Sequence, residues 1–245
     1  MVENKPRKHI IAYIDFLGTK EYIKRDSENN HFKFLLNLYK EILGDIQKHN
    51  NEDYRYTKEF KVRSFSDNIL FAASTNVDIK WQLSYTLGDI IHIASKIQSL
   101  ALMNGFLVRG GITVGDIFID NNFVYGKGLL DVLNLEENVA HYPRIVVDES
   151  VENECPEYFK SNYNIITDQD GLKFIDFYNC GIDEDYKLDA CAKQLEKMKQ
   201  DSCISYNVIS KLNWAILQYN SFLKKKYPDQ EIKDLISPVT MLKEY

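Results

Sequence analysis

Residues 9–16 read HIIAYIDF, and no other stretch of the chain restricts its fold as much. The run is β-branched and aromatic, and Leu17-Gly18-Thr19 closes it. A short apolar run bounded by a turn signal is a buried strand rather than a helix. It ends in a carboxylate, Asp15. A charge at the end of a buried strand is costly unless something neutralises it. A sheet must form around residues 9–16, and the fold must also accommodate that charge.

The remaining pattern interleaves strands and helices. Phe34, Leu35, Leu38, Ile42 and Ile46 give one apolar helical face over about 31–49. Tyr54 to Ser64 alternates as a strand, Ser66-Asp67-Asn68 turns, and Ile69 to Ala73 returns, so a hairpin has its tip near Asp67. Asn76 or Asp78 then caps a helix carrying Leu83, Leu87, Ile90, Ala94 and Ile97, which stops at Asn104-Gly105. Phe106 to Ile119 is a long strand containing RGGITVG; Asp120-Asn121-Asn122 turns it and Phe123 to Tyr125 returns. Gly126 to Asn138 has helical spacing, and Arg144 to Val147 is a short strand. This order predicts an α+β fold of the ferredoxin-like kind, a sheet with helices on one face. Residues 1–150 form that core. Residues 151–245 form an extension: a short helix, a strand in GLKFIDFY, and helix from about 183 to 226, limited by Pro228.

Composition excludes several classes of function. The net charge of −6 argues against a broad electrostatic grip on nucleic acid. With 44% hydrophobic and 27% charged residues the chain reads as globular, not as a disordered tail. No run of about 20 apolar residues is available to span a membrane. The N-terminus starts basic, but its apolar run breaks at Asp15, too early for a signal peptide. Cys155, Cys180, Cys191 and Cys203 form no CxxC pair, which points to reduced thiols and a cytoplasmic protein. The histidines at 9, 31, 49, 92 and 141 show no metal-ligand spacing.

Two aspartates are placed for chemistry. Asp15 ends a buried strand and Asp67 sits at a hairpin tip. On adjacent central strands, two such carboxylates share a pair of divalent cations and drive displacement at phosphorus. The competing reading makes Asp15 a helix cap and Asp67 a turn aspartate. Backbone N–H groups of the Phe16-Leu17-Gly18-Thr19-Lys20 turn either receive phosphate oxygens or make an ordinary strand-to-helix turn. The glycines of Arg109-Gly110-Gly111 mark close approach of another backbone or a bulge. The C-terminal helix is a packing or dimer element, and Lys224-Lys225-Lys226 is solvated.

YIDFLGTK at 13–20, RSFSDNILFA at 63–72, VRGGITVG at 108–115 and FVYGKGLLDVLNLEE at 123–137 together resemble class III nucleotidyl cyclases. The resemblance covers about 9–147 and includes a βααββαβ order. FSDNI, RGGI and HYPRIVVD look most like the bacterial pyrimidine nucleotide cyclases of cyclic-pyrimidine antiphage defence, Pycsar. It implies that Asp15 and Asp67 hold two Mn²⁺ or Mg²⁺ ions, joined by the backbone carbonyl of Phe16. Gly18 and Thr19 join the substrate-binding turn. The two base-reading positions fall on Arg63 and Phe123, where purine cyclases usually carry a Lys/Asp or Glu/Cys pair; an arginine facing an aromatic favours UTP or CTP. The transition-state Asn and Arg fall on Leu130 and Asn134, and a shift of one residue puts Asp131 in the Asn position. Neither register restores the arginine, which leaves Arg109, Lys127 and Arg144 as available cations. The implied reaction makes 3′,5′-cyclic UMP or cyclic CMP plus pyrophosphate, on a homodimer with composite sites, and a separate effector protein reads the product. The alternatives are an ATP or GTP cyclase, a catalytically impaired cyclase fold that binds nucleotide, or a nuclease or polymerase-palm site, which the acidic balance disfavours.

Overall fold

A computed structural model describes residues 5–25, 28, 30–51, 60–77, 80–161, 164–182, 185–200, 206–228 and 235–239. The chain runs β1 (Arg7–Phe16), α1 (Thr19–Arg25), α2 (Asn30–Asn51), β2 (Lys61–Phe65), β3 (Asn68–Ser74), α3 (Lys80–Met103), β4 (Val108–Ile119) and β5 (Val124–Tyr125). Then come α4 (Lys127–Asn134), a π-helical turn over Leu135–Val139, β6 (Ile145–Val147), α5 (Glu149–Glu154) and α6 (Pro156–Ser161). It ends with β7 (Ile165–Thr167), β8 (Lys173–Ile175), α7 (Phe177–Gly181), α8 (Asp185–Gln200) and α9 (Tyr206–Lys226). No helix among the described residues is long and apolar enough to cross a membrane.

The sheet has the order β2-β3-β1-β4-β6-β8-β7, with β5 folded back on β4. The apolar strand β1 is central, antiparallel to β3 on one side and to β4 on the other. Alternation divides its side chains between two faces. Ile10, Ala12, Ile14 and Phe16 enter the main core with Leu38 and Ile42 of α2 and Leu87 and Ile91 of α3. Ile11 and Tyr13 point the other way, into a smaller cluster with Leu70, Ile117 and Val132. Asp15 continues the Ile11–Tyr13 side of the strand.

The expectation that helices cover one face needs correction, because α4 lies on the second face. Glycines give the reason. A side chain on Gly111 would put Cβ 2.6 Å from Leu135 Cβ, and one on Gly115 would put it 2.7 Å from Gly128 Cα. The sheet is bare where α4 and its π-turn rest, so backbone meets backbone. A Cβ on Gly110 would fall 2.3 Å from the Tyr13 carbonyl, the close approach that the adjacent glycines predict.

The extension carries the sheet onward. Residues of β8 pair with β6 through Val146 and Phe174, and β7 pairs with β8. The strand expected over GLKFIDFY stops at Ile175, because the Asp176 side chain accepts from Asn179 N and starts α7. The single helix expected over 183–226 is two helices, α8 and α9. Leu188, Leu195, Leu212 and Tyr219 bring both into the main core. The helix expected over Gly126 to Asn138 turns π-helical after Asn134. Because α3 begins at Lys80, Asn76 is not its cap. The expected strand residues 54–59, the cap residue Asp78 and Cys203 lie outside the described residues.

Candidate active site

Asp15 is the last residue but one of β1, flanked in register by Asn68 of β3 and Arg109 of β4. Asp67 lies in the turn that joins β2 to β3. Ser66 adopts a left-handed φ of 58°, an uncommon conformation for a non-glycine residue that closes this turn tightly. The turn delivers Asp67 next to Asn68, and hence next to the end of β1. Burial, then the charge of Asp67, push the Asp15 carboxyl up to about 6, against the opposing pull of Arg109. The charge of Asp67 therefore reaches the Asp15 carboxyl across the strand ends.

Arg109 supplies part of that charge. Its Nε lies 3.7 Å from Asp15 Oδ2, and its Nη2 lies 2.6 Å from Glu136 Oε1. Glu136 belongs to the π-helical turn after α4, and its side chain is 10% exposed. Burial pushes Glu136 up to about 7, with Asp15 and Glu137 adding to the rise and Arg109 opposing it. Tyr13 is raised to about 12, first by burial and then by Glu136, Asp15 and Asp67. Lys211 of α9 is lowered by burial and Arg109, while Asp15 and Glu136 act to raise it. Asp15, Arg109 and Glu136 thus form one ion-paired cluster at the end of the central strands, and the charges of Asp67 and Lys211 act on it. Glu136, Tyr13 and Lys211 have no signal in the sequence, since nothing local marks the tertiary contacts that bring them here.

The turn after β1 is ordered by its own residues. Gly18 takes φ 82°, and the Thr19 hydroxyl donates to the Phe16 carbonyl at 2.8 Å. That bond uses one of the two lone pairs of the Phe16 oxygen and leaves the other. Arg63 and Phe123 are joined through the β4–β5 turn. Arg63 donates from Nε and Nη2 to the Asp120 carbonyl, and from Nη2 to Asn121 Oδ1 at 3.0 Å. Asp120 Oδ1 in turn accepts from Phe123 N at 2.8 Å. Phe123 is 56% exposed and stacks on Tyr125 at 6.1 Å.

Asn134 is exposed on α4 and accepts from Asn138 Nδ2 at 2.9 Å. Leu130, one turn earlier, is 67% exposed. Both lie on the outer side of α4, while Val132 is its buried side. Of the three cations named from sequence, Arg144 is fully buried and bound by Asp168 and Asp170. Lys127 is 80% exposed and paired with Asp131. Only Arg109 stands beside Asp15.

Among the described residues no group of three or more His, Cys, Asp or Glu side chains forms a metal cage. Asp15, Asp67 and the Phe16 carbonyl are hard oxygen donors, and Arg109 offsets the charge of Asp15 only in part. Such a sparse set fits Mg²⁺ or Mn²⁺, which keep waters and take substrate phosphates as further ligands.

No family model matches the chain, and no curated protein does. Solved structures do. The monomeric guanylyl cyclase domain of the RhoGC fusion protein from the aquatic fungus Blastocladiella emersonii aligns at TM-score 0.50 and 16% identity, over 70% of this chain and 95% of that one. The fold is that of the class III cyclase domains. An adenylate/guanylate cyclase/hydrolase from Silicibacter pomeroyi aligns more loosely, at TM-score 0.43 and 14% identity over 69% of this chain and 95% of its own. At these identities the likeness concerns architecture alone.

Proposed function

We propose that this chain is a nucleotide cyclase that converts a nucleoside triphosphate to a 3′,5′-cyclic nucleotide and pyrophosphate. The observation that carries the reading is Asp15 at the end of β1, its carboxyl pushed up by burial and by the charge of Asp67, on a class III cyclase fold. The 3′-oxygen attacks the α-phosphorus and the bond to the pyrophosphate oxygen breaks. Asp15, Asp67 and the Phe16 carbonyl would hold two divalent cations. Those ions supply activation of the 3′-hydroxyl and neutralisation of the triphosphate. Thr19 fixes the direction of the Phe16 carbonyl. Arg109, oriented by Glu136, adds fixed positive charge beside Asp15.

UTP or CTP is the substrate in this reading. Arg63 and Phe123, the base-reading positions implied by the resemblance, are linked through the Asp120 turn, so they act as one unit. A guanidinium only donates, which matches the carbonyl oxygens of a pyrimidine. The enzyme works as a homodimer, with the 123–137 segment of one copy facing Asp15 and Asp67 of the other. Phe123, Tyr125 and Leu130 in that segment, and Phe65 beside the Asp67 turn, are exposed large apolar residues, which supports a contact between the two. The product is a second messenger of antiphage defence, read by a separate effector protein.

Mass spectrometry of products after incubation with all four nucleoside triphosphates and Mn²⁺ tests the reaction. Cyclic UMP or cyclic CMP is expected. Cyclic AMP or cyclic GMP as the main product would move the chain to the purine cyclases, and no cyclic product would leave a nucleotide-binding fold. Light scattering should show a dimer; full activity from a monomer would remove the composite site.

A further inference from the structure

Three strands present one row of side chains at the Asp15 end of the sheet. Asn68 of β3 and Arg109 of β4 stand directly opposite Asp15 of β1 in antiparallel register. Directly opposed residues share a face, with Cβ atoms about 4.5–5.5 Å apart. The preceding pairs identify that face. Tyr13 opposes Leu70 and Ile11 opposes Ala72, and all four belong to the smaller cluster with Val132 of α4. Two residues on, the same face carries Asp15 and Asn68. Arg109 occupies one flank of Asp15, with Nε 3.7 Å from Oδ2. Asn68 occupies the other, and its Oδ1 is buried with no hydrogen-bond partner among the described residues.

A buried acceptor without a donor is rare in native structures and calls for an occupant, a water or an ion. The neighbour of this acceptor in the row is a carboxylate, which only accepts when ionised. Neither oxygen can satisfy the other, and a cation bound between them satisfies both. An amide oxygen is a hard, neutral donor of the kind that suits Mg²⁺ or Mn²⁺ beside carboxylates and water. Arg109 cannot serve Asn68, because it stands on the far side of Asp15 and its Nη2 lies 2.6 Å from Glu136. The position of Asn68 is also rigid, since its strand pairs with β1 on one side and, at Phe65, with β2 on the other. A ligand on a strand held from both sides keeps its geometry better than one on a loop.

We propose that Asn68 is a metal ligand, its Oδ1 joining Asp15 on a divalent cation of the site. This rests on the cyclase reading above and adds a ligand to the two aspartates and the Phe16 carbonyl. A neutral oxygen adds coordination without adding charge to a site that already holds two carboxylates. The turn Ser66-Asp67-Asn68 then supplies two ligands, one from the turn itself and one from the first residue of β3.

The test is Mn²⁺ binding to the full, nucleotide-free chain, read by loss of the free-ion electron paramagnetic resonance signal. The melting temperature is measured alongside, with and without Mn²⁺. Asn68→Leu keeps the size and branching of the side chain and removes its oxygen. It should weaken Mn²⁺ binding about 10-fold or more, since even a group that only supports a ligand is worth that much. The metal-free melting temperature should stay equal or rise, because an orphaned acceptor is lost. Asn68→Asp keeps an oxygen at the position and should bind Mn²⁺ at least as tightly as the unmodified chain. Unchanged Mn²⁺ affinity in Asn68→Leu overturns the assignment, and a lower metal-free melting temperature with it would mark an amide satisfied by water. If Asn68→Leu lowers stability and affinity together, Asn68→Asp decides: tight Mn²⁺ binding supports the ligand role and weak binding overturns it. Asp15→Asn is the control for the reading beneath. If it abolishes Mn²⁺ binding while Asn68→Leu does not, Asn68 alone is removed from the site. If the unmodified chain binds no Mn²⁺, or Asp15→Asn binds it equally well, the two-metal cyclase reading falls and this inference with it.

Discussion

Two arginines meet carboxylates in this molecule, one fully buried and one half-buried, and they are held in opposite ways. Arg144 is fully buried between Asp168 and Asp170, with Trp214, Tyr142 and Phe174 rings about its guanidinium. Its hydrogen bonds hold Asp170 below the usual carboxylate range. Arg109 touches Glu136 at 2.6 Å and stands 3.7 Å from Asp15, and both of those carboxyls are pushed up, to about 7 and about 6. Asp170 is half-exposed and takes two hydrogen bonds from Arg144, so its charged form is favoured; beside Arg109 the carboxyls are more deeply buried and burial wins. The first cluster ties the extension to β6 and is structural. The second keeps unpaired charge in reserve, as functional sites do.

The largest expected effect separates the clusters by turnover. Asp15→Asn or Asp67→Asn should lower cyclic nucleotide formation by about 10³-fold or more, since each removes a ligand that no neighbour replaces. Asp170→Asn should leave the rate per folded molecule unchanged. Product quantification decides; more than about a tenth of the rate surviving in Asp15→Asn would sink the two-metal reading.

Stability should split the clusters the other way. Arg144→Ala leaves two carboxylates facing a buried gap and should cost about 3–5 kcal/mol in urea unfolding. Arg109→Gln should cost less than half of that, because Asp15 and Glu136 already take up protons readily. Equal losses would erase the distinction between the two sites.

The pH dependence sharpens it further. Asp15 rises from 3.8 to about 6 on folding, and Glu136 from 4.5 to about 7. A raised folded value means that the native state binds the extra protons. Stability of the metal-free chain should therefore fall as pH rises from about 4 to about 7. Asp15→Asn should flatten this slope and raise the metal-free melting temperature at pH 7.5 by about 2–6 °C. With Mn²⁺ present the unmodified chain should regain stability toward higher pH, since the metal takes the deprotonated ligands. A metal-free melting temperature that rises through that window would show that Asp15 is not under strain.

The central sheet was legible because its signals are local. HIIAYIDF, the Asp67 turn and the RGGITVG strand each announce themselves by period and punctuation, and Asp15 stands out as a charge in an apolar run. The rest depends on contacts far apart in sequence. The place of α4 on the second face follows from Gly111 and Gly115 leaving room for Leu135 and Gly128, which no helical pattern reveals. Glu136 looks like one more polar residue in LNLEENV, yet the π-turn buries it against Arg109. Lys211 lies about 100 residues from Arg109 in the chain, and only the return of α9 to the start of β4 lets the charge of Arg109 act on it. Arg144, Lys127 and Arg109 looked equivalent as cations until their partners were visible.

Lys127 gives the smallest expected effect and the sharpest check on where the catalytic charge comes from. It begins α4, inside the segment that faces the partner in the proposed dimer, so position alone would make it a candidate for catalysis in trans. Its Nζ, however, lies 2.9 and 2.6 Å from the two oxygens of Asp131, and its side chain is 80% exposed. An exposed pair one turn apart on a helix is worth only about 0.3–0.5 kcal/mol and weakens with salt. Lys127→Ala should therefore change stability by no more than that, and turnover by less than about threefold. If turnover instead collapses while unfolding is unchanged, the partner's α4 provides the cation, and the charge beside Asp15 serves binding alone. Measuring the same variant at low and high salt separates the two cases: a screened surface pair loses its small effect, whereas a lysine enclosed by the dimer keeps a large one.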